Sequence, residues 1–397
     1  MIGSLEGIRV VDVTMSVAGP FATQILGDLG ADVIKVERHV VGDDTRRWGP
    51  PFWQGEGCTF TSLNRNKRSV VLDLKEESDR ESFIDLVSEA DVFVQNLRPG
   101  SLTKLGLGHR EMRARNPRLI YCDMTGYGLD GPKASAPAYD PLMQAYGGLM
   151  SLNGEAGRPP VRVPASILDQ GTGMWTAIAV LDALRIRERT GEGAHVHTSL
   201  LNTALMWLPS QITGYFAGKV VPERLGSGTV GIYPYAAFPT ADNWVIIAAG
   251  NENLWQRLCT AIGREELSRD DRFLLNPDRV AHREELFEEL ASTLRTADGA
   301  TWVEKLTAAG VPTTPIQTID QVVADEQVAA IGALPEVPHP RIPDFRVVTM
   351  PIQVDGEYAP VRRVPPLLGE HNDEVLGDSR ATSTSTSTAA STGEEKS

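Results

Sequence analysis

Three cysteines in 397 residues, Cys58, Cys122 and Cys259, are too few and too scattered to frame a fold. Without a CxxC pair they exclude a disulfide scaffold and a cysteine-built zinc site, and they suit a reducing compartment. Histidine is sparse as well: there are seven, and no HExxH pair. His195 and His197 alternate on a predicted strand and face one side, but two imidazoles alone make a poor metal site, so no metal is expected. No apolar run approaches the ~18 residues of a membrane span. The opening Met1-Ile-Gly-Ser-Leu-Glu-Gly7 lacks the basic and apolar regions of a signal peptide, so the expected compartment is the cytoplasm. Positive charge is in deficit, with 38 Lys and Arg against 52 Asp and Glu, a net charge of −14. Such a surface argues against nucleic acid and membrane as partners, and an anionic ligand would need a local basic cluster.

Familiar catalytic strings are missing too. There is no Gly-x-Ser-x-Gly elbow and no Walker A loop. Gly226-x-Gly228-x-x-Gly231 matches the dinucleotide fingerprint as a string, yet Pro222-Glu-Arg precedes it and Ile232-Tyr-Pro-Tyr follows. The fingerprint needs a strand before and a helix after, so neither NAD nor flavin is expected, and the segment reads as a glycine flap over a ligand.

What the chain does contain is alternation. Ile8–Val13 and Asp32–Glu37 are short β-branched strands, with a helical pattern over Phe21–Leu29 between them. That is a β-α-β unit, the seed of a parallel sheet. Strands predicted at Ser69–Asp73, Val92–Gln95, Leu119–Met124 and Ala194–Thr198 continue it, with helices at Glu76–Ala90, His109–Asn116 and Leu200–Tyr215. The expected class is α/β, a large Rossmann-like doubly wound domain over residues 1–224. After about residue 225 a hairpin (Tyr235–Phe238, Trp244–Ala248) and three helices suggest a smaller α+β domain over 225–330. Residues 331–377 hold the eight prolines of Pro335–Pro366 and read as an extended return segment. Residues 378–397 form a Ser/Thr-rich tail, disordered by composition.

Ligands of doubly wound sheets sit at the carboxyl ends of strands. Met15–Val17, Arg38, Lys75, Asn96 and Gly126 fall there. Arg38, Arg65, Lys67, Arg68, Lys75, Arg98 and Lys104 cluster near these ends and are candidates for a phosphate-binding patch. In Ser166-Ile-Leu-Asp169-Gln-Gly-Thr-Gly-Met-Trp175 an acidic residue closes an apolar run, two glycines follow, and an apolar-periodic segment runs from Trp175 to Ile186; the stretch reads as a strand or loop delivering a carboxylate to the start of a helix. Asp169 reads either as a helix N-cap or as a functional carboxylate at the positive end of the helix dipole. Gly171 and Gly173 read as room for a ligand to approach.

Six motifs occur in a fixed order: Leu5-Glu-Gly-Ile-Arg-Val-Val-Asp12; Ala18-Gly-Pro with Leu29-Gly-Ala-Asp-Val-Ile-Lys-Val-Glu37; Asn64-Arg-Asn-Lys-Arg-Ser69; Asn96-Leu-Arg-Pro-Gly100; Tyr139-Asp-x-x-x-Gln-Ala145; and Pro366-Leu-Leu-Gly-Glu-His-Asn-Asp-Glu-Val-Leu376. Together they resemble the family III CoA-transferases, the formyl-CoA transferase and carnitine/bile-acid CoA-transferase group, over about residues 4–376. The resemblance implies that Asp169 is the catalytic residue. It implies coenzyme A contacts at Ser16, Val17, Ala18, Arg38, Leu72, Lys75, Asn96, Leu97, Arg98, Lys104 and Tyr139, and a glycine flap at Gly226, Gly228 and Gly231. It also implies an interlocked, ring-shaped homodimer. The implied substrates are an acyl-CoA and a small carboxylic acid, exchanged through mixed-anhydride and aspartyl-CoA intermediates on Asp169.

Two departures from the formyl-CoA transferases narrow the substrate. Val17 stands where they carry a glutamine, and their glycine loop is longer, so a larger or less polar acyl group, such as a dicarboxylic acid, is expected. The α-methylacyl-CoA racemases, similar in fold, are the alternative. They place a histidine base before an aspartate where this chain has Tyr139-Asp140, and a phenol is poorly suited to removing an α-proton near neutral pH. A CoA-binding protein without turnover is a third reading, against which the presence of Asp169 speaks.

Overall fold

The computed structural model describes residues 3–377; the tail at 378–397 lies outside them. The alternation read from the sequence forms β1 (Arg9–Asp12), α1 (Ala18–Asp28), β2 (Asp32–Glu37), β3 (Lys67–Val71), α2 (Glu77–Ser88), β4 (Val92–Gln95), α3 (His109–Arg115), β5 (Ile120–Thr125), α4 (Asp140–Tyr146), α5 (Ile167–Thr190) and β6 (His195–Ser199). The six strands pair in parallel in the order β3-β2-β1-β4-β5-β6. Helices cover both faces. Val11, Ile34, Val70 and Phe93 pack under Phe83 and Val87 of α2 and Met112 of α3. Val10, Val33, Val92 and Ile120 pack under Ala22 and Leu26 of α1 and Val180 and Leu184 of α5. Two buried faces explain why Val10-Val11, Val33-Ile34, Val70-Val71 and Val92-Phe-Val94 are consecutive apolar residues rather than alternating ones.

Glycine sets the distance between α1 and α5. A Cβ at Gly173 would stand 2.8 Å from the Ala18 carbonyl oxygen, and one at Gly171 would stand 2.7 Å from the Trp207 ring. These glycines therefore admit neighbouring protein, not the ligand the sequence suggested. Helix α5 ends at Gly191, which takes the left-handed φ of 78° that a helix stop requires.

The chain clusters into two compact units. The first comprises residues up to Gly147, Pro164–Pro209 and residues from Ile331; the second comprises Gly148–Val163 and Ser210–Ala330. The division falls at Ser210, against the sequence boundary at 224/225. The helix predicted over Leu200–Tyr215 is two helices, α6 (Leu200–Met206) and α7 (Pro209–Gly218). Pro209 opens the second, because its ring disfavours helical backbone at the preceding residue. In the second unit β7 (Tyr235–Pro239) and β8 (Trp244–Ala248) form the expected hairpin, to which Thr313–Pro315 adds a third strand. Phe238, Trp255, Leu290 and Trp302 are among its core residues.

In the first unit the return segment covers the open edge of β3. Asn66 accepts from the Arg362 and Arg363 backbones, and Asn372 accepts from Val71 N at 2.8 Å. This closes an edge that would otherwise invite pairing with another chain.

Beneath the strand ends lies a fully buried charge network. Asp12 accepts from Thr14 N (2.8 Å), Thr14 Oγ1 (2.5 Å), Thr23 Oγ1 (2.6 Å) and Lys67 Nζ (3.2 Å). Lys35 Nζ reaches Asp43 at 2.9 Å and the Thr14 carbonyl at 2.7 Å. Burial pushes the Asp12 carboxyl up, but the two ammonium groups and the hydroxyls outweigh it and hold it at about 2. Lys67, desolvated, falls to about 8. Removing one member of such a set leaves an uncompensated buried charge. Asp12→Asn should therefore lose about 3–5 kcal/mol of stability, measured by urea unfolding; a loss under about 1 kcal/mol would contradict this account.

Candidate active site

At the topological switch point, between β1 and β4, the chain turns through Thr14–Val17. Asn96, immediately after β4, clamps that turn: Met15 N donates to Asn96 Oδ1 (3.0 Å) and Asn96 Nδ2 donates to Met15 O (2.8 Å). Ser16 N donates to Asp43 Oδ1 at 3.3 Å. Ser16 adopts φ 69°, a left-handed conformation costly for a residue with a Cβ. The clamp and the buried network below hold it there.

Beside this turn opens a cavity of about 390 Å³. Val13 and Met15 line it after β1, Arg38 and His39 after β2, Leu72 and Lys75 after β3, and Leu97 and Leu102 after β4. Arg38, Leu72, Lys75 and Leu97, drawn from three separate crossovers, thus meet on one cavity. Asn96 frames its rim through Met15. Arg98 and Lys104 are exposed near it, and Lys104 ends a short helix whose Ser101 and Leu102 line the wall. Tyr139, 59% exposed, precedes α4.

The basic patch read from sequence divides in two. Arg65 forms a buried bidentate pair with Asp28 (3.0 and 2.6 Å). Lys67 sits on Asp12, and Arg68 pairs with Asp32 and Glu374. These three are structural. Their place on and just before β3 puts them within reach of acidic partners that lie far off in sequence.

Asp169 lies in the first turn of α5, partly buried. Helices α1 and α5 both run back against parallel strands, so they point the same way. Gly173 abuts Ala18 at the start of α1, and Asp169 lies one turn earlier, about 6 Å along the axis. The Asp169 turn therefore projects past the start of α1, alongside Ser16–Ala18. The N-cap reading of Asp169 is corrected: Ser166 holds the cap position and makes no side-chain cap bond. Asp140 caps the helix from α4, its Oδ2 accepting from Leu168 N (2.8 Å) and Asp169 N (3.2 Å). Sequence reading missed this role because Asp140 precedes Pro141 and reads as the opening of its own helix. Burial, together with the charge of Asp140, raises the Asp169 carboxyl from 3.8 to about 7.

The glycine loop belongs to the second unit. Gly226 N donates to Gly154 O (3.0 Å), and Asn276 Nδ2 donates to Gly231 O (2.7 Å). A Cβ at Gly226 would meet the Glu155 carboxylate at 2.6 Å, whereas nothing crowds Gly231. Gly228 N donates to Leu225 O within the turn. The next regular element is a strand, as the failed fingerprint required.

His195 and His197 find polar partners of their own. His195 Nε2 meets Asp123 Oδ2 at 2.6 Å and stacks on His109 at 4.0 Å, and His197 meets Thr125. The nitrogen and oxygen atoms of His109, Asp123 and His195 lie within 4.8 Å of one another. Both Asp123 oxygens are already engaged, by His195 and by Gln95, which leaves a satisfied polar network.

The Asp169 shift has a stability consequence. The folded carboxyl holds its proton more tightly than the unfolded one, so wild-type stability falls as pH rises from 3.8 to about 7. Asparagine cannot ionise. Asp169→Asn should melt above wild type near pH 8, by at most about 4 kcal/mol, and the gap should close below about pH 4. Thermal melts across pH check this; a pH-independent difference would contradict it.

Comparison with known proteins fits these features. The family model for CoA-transferase family III matches residues 5–372. The mouse succinyl-CoA:glutarate CoA-transferase is 36% identical over 372 residues, covering 94% of this chain and 85% of the mouse protein. The succinate–glutarate CoA-transferase of Agrobacterium fabrum is 37% identical over 383 residues, covering 94% and 95%. The crystal structure of a CAIB/BAIF family protein from Brucella suis superposes with a TM-score of 0.87 at 36% identity, covering 95% of this chain and all of that one. The chain belongs to CoA-transferase family III and is an enzyme of the CoA-transferase class.

Proposed function

We propose that this enzyme moves coenzyme A from an acyl-CoA to a free carboxylate, with Asp169 as the nucleophile and a dicarboxylic acid among its substrates. The observation that carries the reading is a partly buried carboxylate in the first turn of α5, one helical turn before Gly173, which abuts Ala18 at the start of α1. In the first step an Asp169 oxygen attacks the thioester carbonyl, the C–S bond breaks and CoA leaves as thiolate. The product is a mixed anhydride. The thiolate then attacks the aspartyl carbonyl and expels the donor acid, leaving an aspartyl-CoA thioester. The acceptor carboxylate attacks that thioester and releases thiolate again, which takes the acyl group from the second anhydride and frees Asp169. Charge balances throughout and no proton is consumed.

The remaining residues suit supporting roles. Arg38 and Lys75 offer cations for the phosphates of CoA, and Leu72 and Leu97 offer apolar walls. N–H groups at the start of α1, near Val17 and Ala18, lack intrahelical acceptors and are candidate donors to the tetrahedral oxyanions. The mouse relative is named for succinyl-CoA and glutarate and the Agrobacterium relative for succinate and glutarate, which supports the dicarboxylate.

Exposed apolar side chains in the first unit support the homodimer. Met174, Ile178 and Ile186 of α5, Leu205 and Met206 of α6, and Leu142 and Tyr146 of α4 all face outward. Such a concentration is what a subunit interface would bury. Analytical ultracentrifugation should find a species of twice the 43.1 kDa chain mass; a monomer at micromolar concentration would refute the dimer.

Asp169→Ala should abolish transfer from succinyl-CoA to glutarate, by at least about 10³-fold, while binding of CoA itself persists. Arg38→Ala should instead raise KM for the acyl-CoA about tenfold with little change in kcat. Undiminished turnover by Asp169→Ala would sink the mechanism. Deuterium entering the α-carbon of a 2-methylacyl-CoA with no acceptor acid present would favour the racemase reading.

A further inference from the structure

We propose that Asp140 is the positioning residue for Asp169: seated on the first N–H groups of α5, it fixes where the Asp169 carboxylate stands and holds a second negative charge against it. The proposal rests on the reading of Asp169 as nucleophile and adds how that carboxylate is aimed and primed.

The geometry is specific. Helix α5 begins at Ile167, and its first N–H groups need acceptors from outside the helix. Ser166 and Asp169 have the spacing of a reciprocal capping box, with which the helix could cap itself. It does not. Asp140, 28 residues earlier and on another helix, takes the Leu168 and Asp169 N–H groups on one oxygen. Its other oxygen accepts from Gln144 Nε2 at 2.5 Å, and the side chain is buried. A cap supplied by α4 locks the start of α5 in place and leaves the Asp169 side chain out of the capping role. It also decides which of two adjacent carboxylates can react. Both Asp140 oxygens are bound, and the helix dipole steadies its charge.

The second consequence is electrostatic. Of the elements packed on α5, α6 carries no ionisable side chain, and α1 carries only Asp28, which is paired with Arg65. Strands β5 and β6 bring Tyr121, Cys122, Asp123, His195 and His197, and α4 brings Asp140 and Tyr146. Asp140 is the charge that acts on Asp169. An ionised Asp169 thus faces a second carboxylate in a partly buried setting. Forming the Asp169–acyl bond removes the Asp169 charge and with it the repulsion, so the free enzyme is raised in energy relative to the acylated one.

The test is the titration of Asp169, followed by isotope-edited carboxylate spectroscopy in wild type and in Asp140→Asn, which keeps an oxygen for the N–H groups but loses the charge. The Asp169 midpoint should fall by at least about one pH unit in the variant, and the acidic limb of kcat/KM should move down with it. Near pH 8, where both forms are ionised, kcat should fall about tenfold or more while KM for the acyl-CoA stays within about twofold. Asp140→Ser, which keeps a capping oxygen on a shorter side chain, supplies the same comparison if the first variant does not fold. An unchanged Asp169 midpoint in a folded variant overturns the proposal. Because the midpoint is read without turnover, it separates this proposal from the mechanism: transfer surviving in Asp169→Ala would refute the nucleophile, whatever Asp140 does.

Discussion

Two lysines without access to water hold together the end of the sheet that carries the cavity. Lys35 on β2 and Lys67 on β3 point inward and are matched by Asp43 and Asp12. An ammonium group in a dry interior is tolerated only with a partner and saturated hydrogen bonds. Each lysine therefore acts as a fixed point to which polar chain must return. Lys35 recruits the Thr14 carbonyl, and Lys67 recruits Pro20 O and Asn64. The Thr14–Pro20 turn, the start of α1 and the Asp43 loop are thereby tied together. That turn includes Ser16 in its strained conformation, next to the cavity, so a cost within the core is what makes the rim rigid.

Asp140 repeats the same economy at the start of α5. One buried carboxylate satisfies helix N–H groups that Ser166 leaves uncapped, and its charge alters the chemistry of its neighbour. Stability and reactivity pull against each other there. Burial of Asp169 beside Asp140 disfavours the folded state once the group ionises, and in the proposed mechanism the same disfavour readies it to form a neutral anhydride. The glycines of α5 belong to this arrangement, because Gly173 lets α5 lie against α1 closely enough to bring the Asp169 turn beside Ser16–Ala18.

Much of the fold was legible because its signals are local and repeated. Short β-branched runs separated by helical spacing predict a parallel sheet, and strand ends predict where ligands gather; Arg38, Leu72, Lys75 and Leu97 do meet on one cavity. The misreadings share one cause. Arg65, Lys67 and Arg68 look like free cations in a list of residues, and only their neighbours Asp28, Asp12 and Asp32 show that they are engaged. Gly171 and Gly173 look like space for a ligand until Trp207 and Ala18 occupy it. The helix predicted over Leu200–Tyr215 had its break written in Pro209, a local signal overridden by an apolar pattern.

By itself the sequence determined the α/β alternation, the position of Asp169 at a helix start and, through motifs in fixed order, the family. Periodicity, caps and motif order are properties of neighbouring residues, and a chain displays them without folding. Tertiary structure alone decided that Asp140 rather than Asp169 caps α5, that Lys35 and Lys67 are buried anchors, and that Arg362–Asn372 close the edge of β3. Those outcomes depend on desolvation and on distances between residues tens to hundreds of positions apart, and neither exists until the chain has packed.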